Sequence, residues 1–235
     1  MIKNISLTKD WEKNSLKKFL ELVSDESFPC LFGKKSILKD SYYPVFISTN
    51  NDRNHLLKSF IEYTDLVKTT EIKDRIYSPL IIFFSQSLEK SFNSQHELAW
   101  DILNWLHLND PEEWPSNIPI EPSDPNWCFC FNGVQTFINM SSSSHQILKS
   151  RNLGDNLVFV VNPRENFDFV ASGEKGKKIR TQIRNRVSSY NNGYVPPELG
   201  FYGDGSKEWL QYQLEEKGMP RPSKCPFQHT LKENQ

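Results

Sequence analysis

Apolar and polar residues alternate along part of this chain with a period of two, which predicts strands. The clearest case is 127–140, where two β-prone runs flank Asn132-Gly133. Asn-Gly between such runs predicts a tight hairpin, because both central residues of a type I′ turn need positive φ. In the first arm the alternation separates large aromatic residues from two cysteines, so one face is bulky and the other small. The bulky face carries Trp127, Phe129 and Phe131.

Other apolar runs predict the rest of a sheet. Residues 80–84 and 157–161 are continuous apolar runs, typical of buried strands. The second run stops before Pro163, because proline cannot continue a central ladder. We therefore predict a single α+β domain over residues 1–235, with a mostly antiparallel sheet and helices packed against it. The predicted strands are 43–48, 80–84, 127–131, 134–140 and 157–161.

Apolar residues spaced three and four apart predict amphipathic helices. These helices cover 9–24, 52–68 and 96–108, and a basic helix covers 174–190. Residues 111–126 hold five prolines in sixteen positions, which predicts an extended surface connector. Proline and glycine bracket Cys30, which predicts a buried turn with the thiol as a small hydrophobe.

Composition and charge exclude several classes of protein. The 28 Lys+Arg and 29 Asp+Glu are balanced, so a general nucleic-acid binder is not expected. No segment approaches the ~20 apolar residues of a membrane span, and the N-terminal MIKNISLTKDWEK has no apolar signal region. With four cysteines and no signal sequence, we expect a cytoplasmic protein with free thiols and no membrane partner.

Common catalytic motifs are missing from the sequence, including HExxH, Walker A and GxGxxG. Candidate functional groups instead lie at strand ends, where rigid scaffolds present them. His145 follows the second hairpin arm and Arg164 follows the 157–161 run. His107 ends a predicted helix, where the helix dipole alone favours a histidine, so a structural role and a ligand role both stay open. The basic helix is either a solvated face or an anion-binding surface.

Eight short motifs together resemble the YqcI/YcgG family of bacterial proteins. Their order and spacing cover nearly the whole chain, although each motif alone is weak. They are FPCLFG at 28–33, YSPLIIFF at 77–84, LHLND at 106–110, WCFCFNG at 127–133, HQILKSRNLG at 145–154, NPRENFD at 162–168, IRNR at 183–186 and CPF at 225–227.

The resemblance implies a haem-dependent N-oxygenase. Such an enzyme hydroxylates the guanidine of arginine-like compounds, or oxidises the amine of an amino acid, with O2 or peroxide. The implied partners are a small amine or guanidine substrate and an electron donor or peroxide, with a homodimer left open. Since the chain has no C-x-x-C-H motif, the implied cofactor is non-covalent haem b, bound through its iron.

Site residues follow from the same resemblance. His145 and His107 lie in family motifs and are the predicted axial ligands, with Cys30 and Cys225 as thiolate alternatives. The aromatic residues Phe129 and Phe131 would form the haem slot. The predicted catalytic residues are Arg164 and Asp168. The cations available for propionates or a substrate carboxylate are Arg151, Arg164, Arg180, Arg184 and Arg186.

Two other functions fit the sequence. The first is a haem-binding or haem-sensing protein without turnover, which would use the same slot. The second is a soluble binding module without a cofactor, in which His107 and His145 are structural. Substituting either histidine would then alter stability and leave absorbance unchanged.

Overall fold

The sheet predicted from the sequence is present in the structure, a computed structural model that describes residues 7–171, 173–200 and 205–229. The ends of the predicted domain 1–235 lie outside these residues. The described part forms one α+β domain around five strands. The strands are β1 Tyr43–Ile47, β2 Leu80–Phe84, β3 Phe129–Phe131, β4 Val134–Ser141 and β5 Leu157–Pro163.

The sheet has the order β1-β2-β5-β4-β3 and is mostly antiparallel, as predicted. Strands β2 to β5 pair antiparallel, and β1 pairs with β2 in parallel. A parallel pair needs a long crossover, and the helical segment between β1 and β2 supplies it.

Helices form where the periodicity predicted them, and additional ones lie at turns. The predicted helices 9–24, 52–68, 96–108 and 174–190 each match an observed helix within one residue at either end. The observed helices are α1 Asp10–Ser24, α2 Leu31–Leu38, α3 Arg53–Thr69, α4 Ile72–Arg75, α5 Gln86–Glu89, α6 Gln95–Leu108, α7 Arg164–Ala171, α8 Gly173–Tyr190 and α9 Trp209–Tyr212.

The two faces of the sheet are covered differently. On one face the main core packs α3 and α6 against residues such as Ile82, Ile138 and Phe159. On the other face α1 packs through Phe19 onto Phe83, with ring centroids 5.6 Å apart. β4 alternates between buried and half-buried residues, so it contributes to both faces. The second face is incompletely covered beside β4, and this gap holds the candidate site.

The hairpin prediction is confirmed in detail. Asn132 and Gly133 have φ of 50° and 69°, and Phe131 pairs with Val134. The Asn132 side chain is also buried and donates to Thr64 Oγ1 at 2.9 Å, which fixes the turn against α3. Turn geometry and tertiary contact therefore agree at this position.

Two local predictions are wrong. Cys30 does not lie in a buried turn: it is an exposed residue that caps the N-terminus of α2. Strand β5 continues past Val161 to Pro163. Val161 is the last β5 residue paired with β2, and beyond it β5 pairs with β4 alone. Because Pro163 does not pair with β2, its missing N–H removes no hydrogen bond between β5 and β2.

Candidate active-site cavity

A cavity of about 250 Å³ lies on the second face of the sheet, beside β4 and between α7 and α8. Phe137 of β4 forms part of its wall, because alternation along the strand puts it on the opposite face from the buried Ile138. Phe137 and Phe167 of α7 pack edge to face with centroids 5.2 Å apart. Other apolar walls come from Phe32, Val170, Ile183, Val187, Pro196, Leu199 and Leu214.

A smaller space of about 160 Å³ extends this cavity along the sheet. The two share Cys30, Phe32, Phe137, Asn139, Phe167 and Val170 as walls. Among the described residues, the polar groups of the smaller space are neutral, and they include the amides of Asn139, Asn162 and Asn166. The extension therefore offers hydrogen bonds without charge.

Cys30 places a thiol in the wall shared by both spaces. It is the N-cap of α2, and its Sγ accepts the N–H of Gly33 at 3.2 Å. The exposed surface of Cys30 faces the cavity, so the residue is surrounded by protein atoms although it is accessible to solvent. Burial raises the pKa of the Cys30 thiol, while the N–H groups of Gly33 and Phe32 and the charge of Arg151 act against that rise.

Four guanidinium groups line the cavity. Arg151 comes from a 3-10 turn at Lys149–Arg151, and Arg164 begins α7. Arg180 and Arg184 lie four residues apart on α8 and so share one face of that helix. Arg184 donates from Nη2 to the carbonyl of Leu199 at 2.6 Å. The cavity is therefore strongly cationic.

Glu208 is the only carboxylate among the described residues that line the cavity. Its Oε2 pairs with Arg164 Nη1 at 3.0 Å, and its Oε1 accepts the hydroxyl of Tyr212 at 2.8 Å. Only 1 % of the residue is exposed. Burial raises the pKa of Glu208 to about 7, and the adjacent Arg164 limits that rise. Its charge therefore changes near neutral pH.

Neither predicted histidine ligand is among the described residues that line this cavity. His145 is buried, with Nδ1 3.9 Å from Glu216 Oε2 and its ring centroid 6.1 Å from that of His96. Burial lowers the pKa of His145 to about 4. His107 packs in an aromatic cluster, with centroids 5.1 Å from Phe227 and 5.5 Å from Trp114.

The remaining predicted residues divide into three groups. Arg151, Arg164, Arg180 and Arg184 line the cavity, and Arg186 instead donates to the carbonyls of Glu26 and Phe28. Phe129 and Phe131 lie in the main core on the opposite face of the sheet. Asp168 lies 3.6 Å from Arg164 but is 56 % exposed and lines a surface groove.

Sequence reasoning missed Glu208, Phe137 and Asn139. The alternation along β4 could have indicated Phe137, because it places this aromatic residue on the face of the strand that does not carry the buried Ile138. Glu208 gave no comparable signal, because its position in the cavity depends on a segment that returns from far along the chain.

No group of three or more His, Cys, Asp or Glu in the described part of the chain is arranged to hold a metal ion. No helix there is long and apolar enough to cross a membrane.

The chain belongs to the YqcI/YcgG family, whose model matches residues 17–228. It is 35 % identical over 223 residues to a Streptomyces lavendulae protein, DcsA, that carries the provisional name N(omega)-hydroxy-L-arginine synthase; the match covers 92 % of this chain and 84 % of the relative. It is also 30 % identical to YcgG of Bacillus subtilis, an uncharacterised protein, and the match covers 94 % of this chain and 89 % of the relative. A second uncharacterised protein of Bacillus subtilis, YqcI, is 29 % identical, and the match covers 92 % of this chain and 87 % of the relative. No solved structure matches the chain.

Proposed function

We propose that this protein is a haem-dependent N-oxygenase that hydroxylates a guanidine nitrogen of arginine or of a similar amino acid. The observation that carries the proposal is one cavity that combines a thiol, apolar walls, four guanidinium groups and a buried carboxylate. The name of the Streptomyces relative supports the reaction. Membership of the family implies the haem, and a haem needs a ligand for its iron, cations for its propionates and apolar walls for its ring.

Cys30 would hold the haem iron through its sulfur. Its Sγ lies in the cavity wall and accepts an N–H at the N-terminus of α2, and the helix dipole there favours a thiolate. Burial raises the pKa of the free thiol, but coordination to a metal would deprotonate it. A haem held by a thiolate supplies activation of dioxygen or peroxide, because electron density from sulfur favours O–O cleavage. This assignment uses the thiolate alternative of the sequence and moves the ligand away from His145 and His107.

Arg180 and Arg184 fit the two haem propionates. They project from one face of α8 into the cavity, and Arg184 is also exposed to solvent. Arginine binds carboxylates through two parallel hydrogen bonds, which fixes orientation as well as position. The apolar walls around these cations would exclude water from the ring of the cofactor.

Glu208 fits the substrate cation. A carboxylate and a guanidinium pair through two parallel hydrogen bonds. Arg164 and Tyr212 each occupy one oxygen of Glu208, and each carboxylate oxygen can accept a further hydrogen bond. Glu208 would therefore hold and orient the guanidine, while Arg164 and Tyr212 keep its carboxylate fixed.

The first test is an absorption spectrum of the protein expressed with haem precursor. We expect a haem spectrum in the wild type, a thiolate-type spectrum of its ferrous carbon monoxide complex, and loss of that signature in Cys30→Ala. Cys225→Ala is the matched control, because Cys225 is not among the described cavity residues, and it should keep the signature. A wild type whose haem spectrum has no thiolate signature, and which loses bound haem only in His145→Ala or His107→Ala, would assign the ligand to that histidine instead.

A second measurement separates catalysis from haem binding. The haem-loaded protein should convert L-arginine to N-hydroxyarginine in an oxygen-dependent or peroxide-dependent reaction, detected by mass spectrometry. Haem binding without any such product would favour a sensing function. A wild type that stays colourless and refuses added haemin would exclude both functions.

A further inference from the structure

Arg151 carries a buried positive charge for which the described chain supplies no carboxylate counterion. The residue is 6 % exposed, its Nη1 atom is buried without a hydrogen-bond partner, and no described carboxylate lies within ion-pair distance. Burial lowers the pKa of Arg151 to about 10, so the group stays protonated at neutral pH. An unpaired buried charge strongly destabilises a folded protein, so its presence calls for an explanation.

The turn that carries Arg151 is held in place. Asn191, fully buried at the end of α8, accepts the N–H of Ser150 at 2.9 Å and donates to its hydroxyl at 3.1 Å. On the other side, Asn152 donates to the carbonyls of Ser143 and His145 at 3.2 and 3.0 Å. The turn is therefore fixed and places Arg151 at the cavity wall before any ligand arrives, as a binding site requires.

The surroundings of Arg151 favour a carboxylate ligand. Glu208, the only described carboxylate of the cavity wall, already pairs with Arg164 at 3.0 Å. Most of the other described walls are apolar, which strengthens any charge-assisted hydrogen bond made there. The planar fork of a guanidinium matches the two oxygens of a carboxylate.

We propose that Arg151 is a carboxylate-binding residue of the cavity. The carboxylate belongs either to a haem propionate or to the α-carboxylate of the amino-acid substrate. Naming these two sources rests on the proposed function, whereas the missing counterion does not depend on it.

The first experiment measures the melting temperature of the haem-free protein. Arg151→Met replaces an unpaired buried charge with an apolar side chain, so it should raise the melting temperature by about 5 °C. Arg75→Met is the matched control, because Arg75 is equally buried but bonds to Asn166 at 2.7 Å and pairs with Glu165. That variant should melt at a lower temperature. A lower melting temperature in Arg151→Met would contradict the proposal.

The second experiment distinguishes the two sources of the carboxylate. Haem is titrated into the haem-free protein by absorbance, and L-arginine and agmatine, its decarboxylated form, are titrated into the haem-loaded protein by calorimetry. If Arg151 binds a propionate, haem affinity should fall about 10- to 100-fold in Arg151→Met. If it binds the substrate, arginine affinity should fall by that factor while the affinities for agmatine and haem stay unchanged.

Unchanged affinities for haem and for arginine in Arg151→Met would overturn the proposal. A wild type that binds neither would instead contradict the proposed function, and the haem-free proteins would then be melted with sodium propionate and glutarate. Stabilisation of the wild type but not of Arg151→Met would support a carboxylate site. Equal response of the two proteins would overturn it.

Discussion

Individual side chains set the charge of the cavity, and Glu208 is the clearest example. Its carboxylate faces Arg164 and Asp168 from α7, Tyr212 from α9 and Cys130 from β3. Burial is the largest influence on its pKa, which rises to about 7, and the charge of Arg164 opposes that rise. A small change of pH near neutrality therefore changes the charge of Glu208 and with it the affinity of the cavity for a cation.

We expect the affinity for L-arginine to increase as the pH rises through about 7, because a guanidinium binds the ionised form of Glu208. Glu208→Gln should weaken that affinity about 10- to 100-fold and make it independent of pH in this range. Calorimetry of the haem-loaded proteins between pH 6 and 8 measures both effects.

A matched control comes from the surface of α8. Glu174 is 82 % exposed and pairs with Lys177 at 2.7 Å, so Glu174→Gln should keep the affinity and pH dependence of the wild type. Wild-type behaviour in Glu208→Gln would show that another group binds the guanidinium.

At the scale of elements, the cavity depends on hydrogen bonds that hold short turns against the longer helices. Helix α8 supplies Arg180 and Arg184, and at its end Asn191 fixes the 3-10 turn that carries Arg151. Cys30 lies at the N-terminus of α2, where its side chain caps the helix. The longer helices were visible as sequence periodicity, but the short turn and its attachment were not, because they rely on single hydrogen bonds between distant residues.

Asn191→Ala should therefore lower the free energy of unfolding by about 2 kcal/mol, because the buried amide no longer satisfies Ser150. It should also weaken the binding of a carboxylate ligand, since Arg151 loses its support. Urea denaturation and calorimetry measure the two effects. Asn185→Ala, on the exposed part of α8, serves as the control and should change neither.

At the scale of the whole molecule, the segment after α9 closes the fold against the sheet and α6. It brings Glu215 within 3.5 Å of His96 and Glu216 within 3.9 Å of His145. Burial is the main reason that the pKa of each histidine falls to about 4, and the charge of Arg151 further lowers that of His145. Both histidines are therefore neutral in the folded protein at pH 7.

This arrangement predicts acid sensitivity. Between pH 6.5 and about 4 the unfolded chain binds protons that folded His96 and His145 do not. The contribution of these two histidines to stability is therefore full above pH 6.5 and falls as the pH decreases. From pH 7 to 5 the loss should be about 2 kcal/mol per histidine. Glu208 opposes part of this loss, because its pKa of about 7 lets the folded protein bind a proton in this range that the unfolded chain does not bind. Urea denaturation at both values measures it.

His145→Gln should remove the contribution of one histidine, about 2 kcal/mol between pH 7 and 5. His55→Gln is the control, because His55 is exposed at the start of α3, and it should retain the full dependence. An equal slope in wild type and His145→Gln would contradict the assignment of acid sensitivity to the buried pair.

The sequence alone determined the strands, the long helices, the hairpin at Asn132-Gly133 and the family. Those features follow from residues that are neighbours in the chain, through backbone preference and periodicity, or from motifs read in order. The haem and its ligand stay predictions.

Only the tertiary structure decided which residues share the cavity. Cys30, Arg151 and Glu208 come from segments far apart in the chain, and they meet because of strand order and the path of the segment after α8. The same packing directs Phe129 into the main core and Phe137 into the cavity. Long-range proximity of this kind is set by the packing of whole elements, which no local pattern in a single sequence contains.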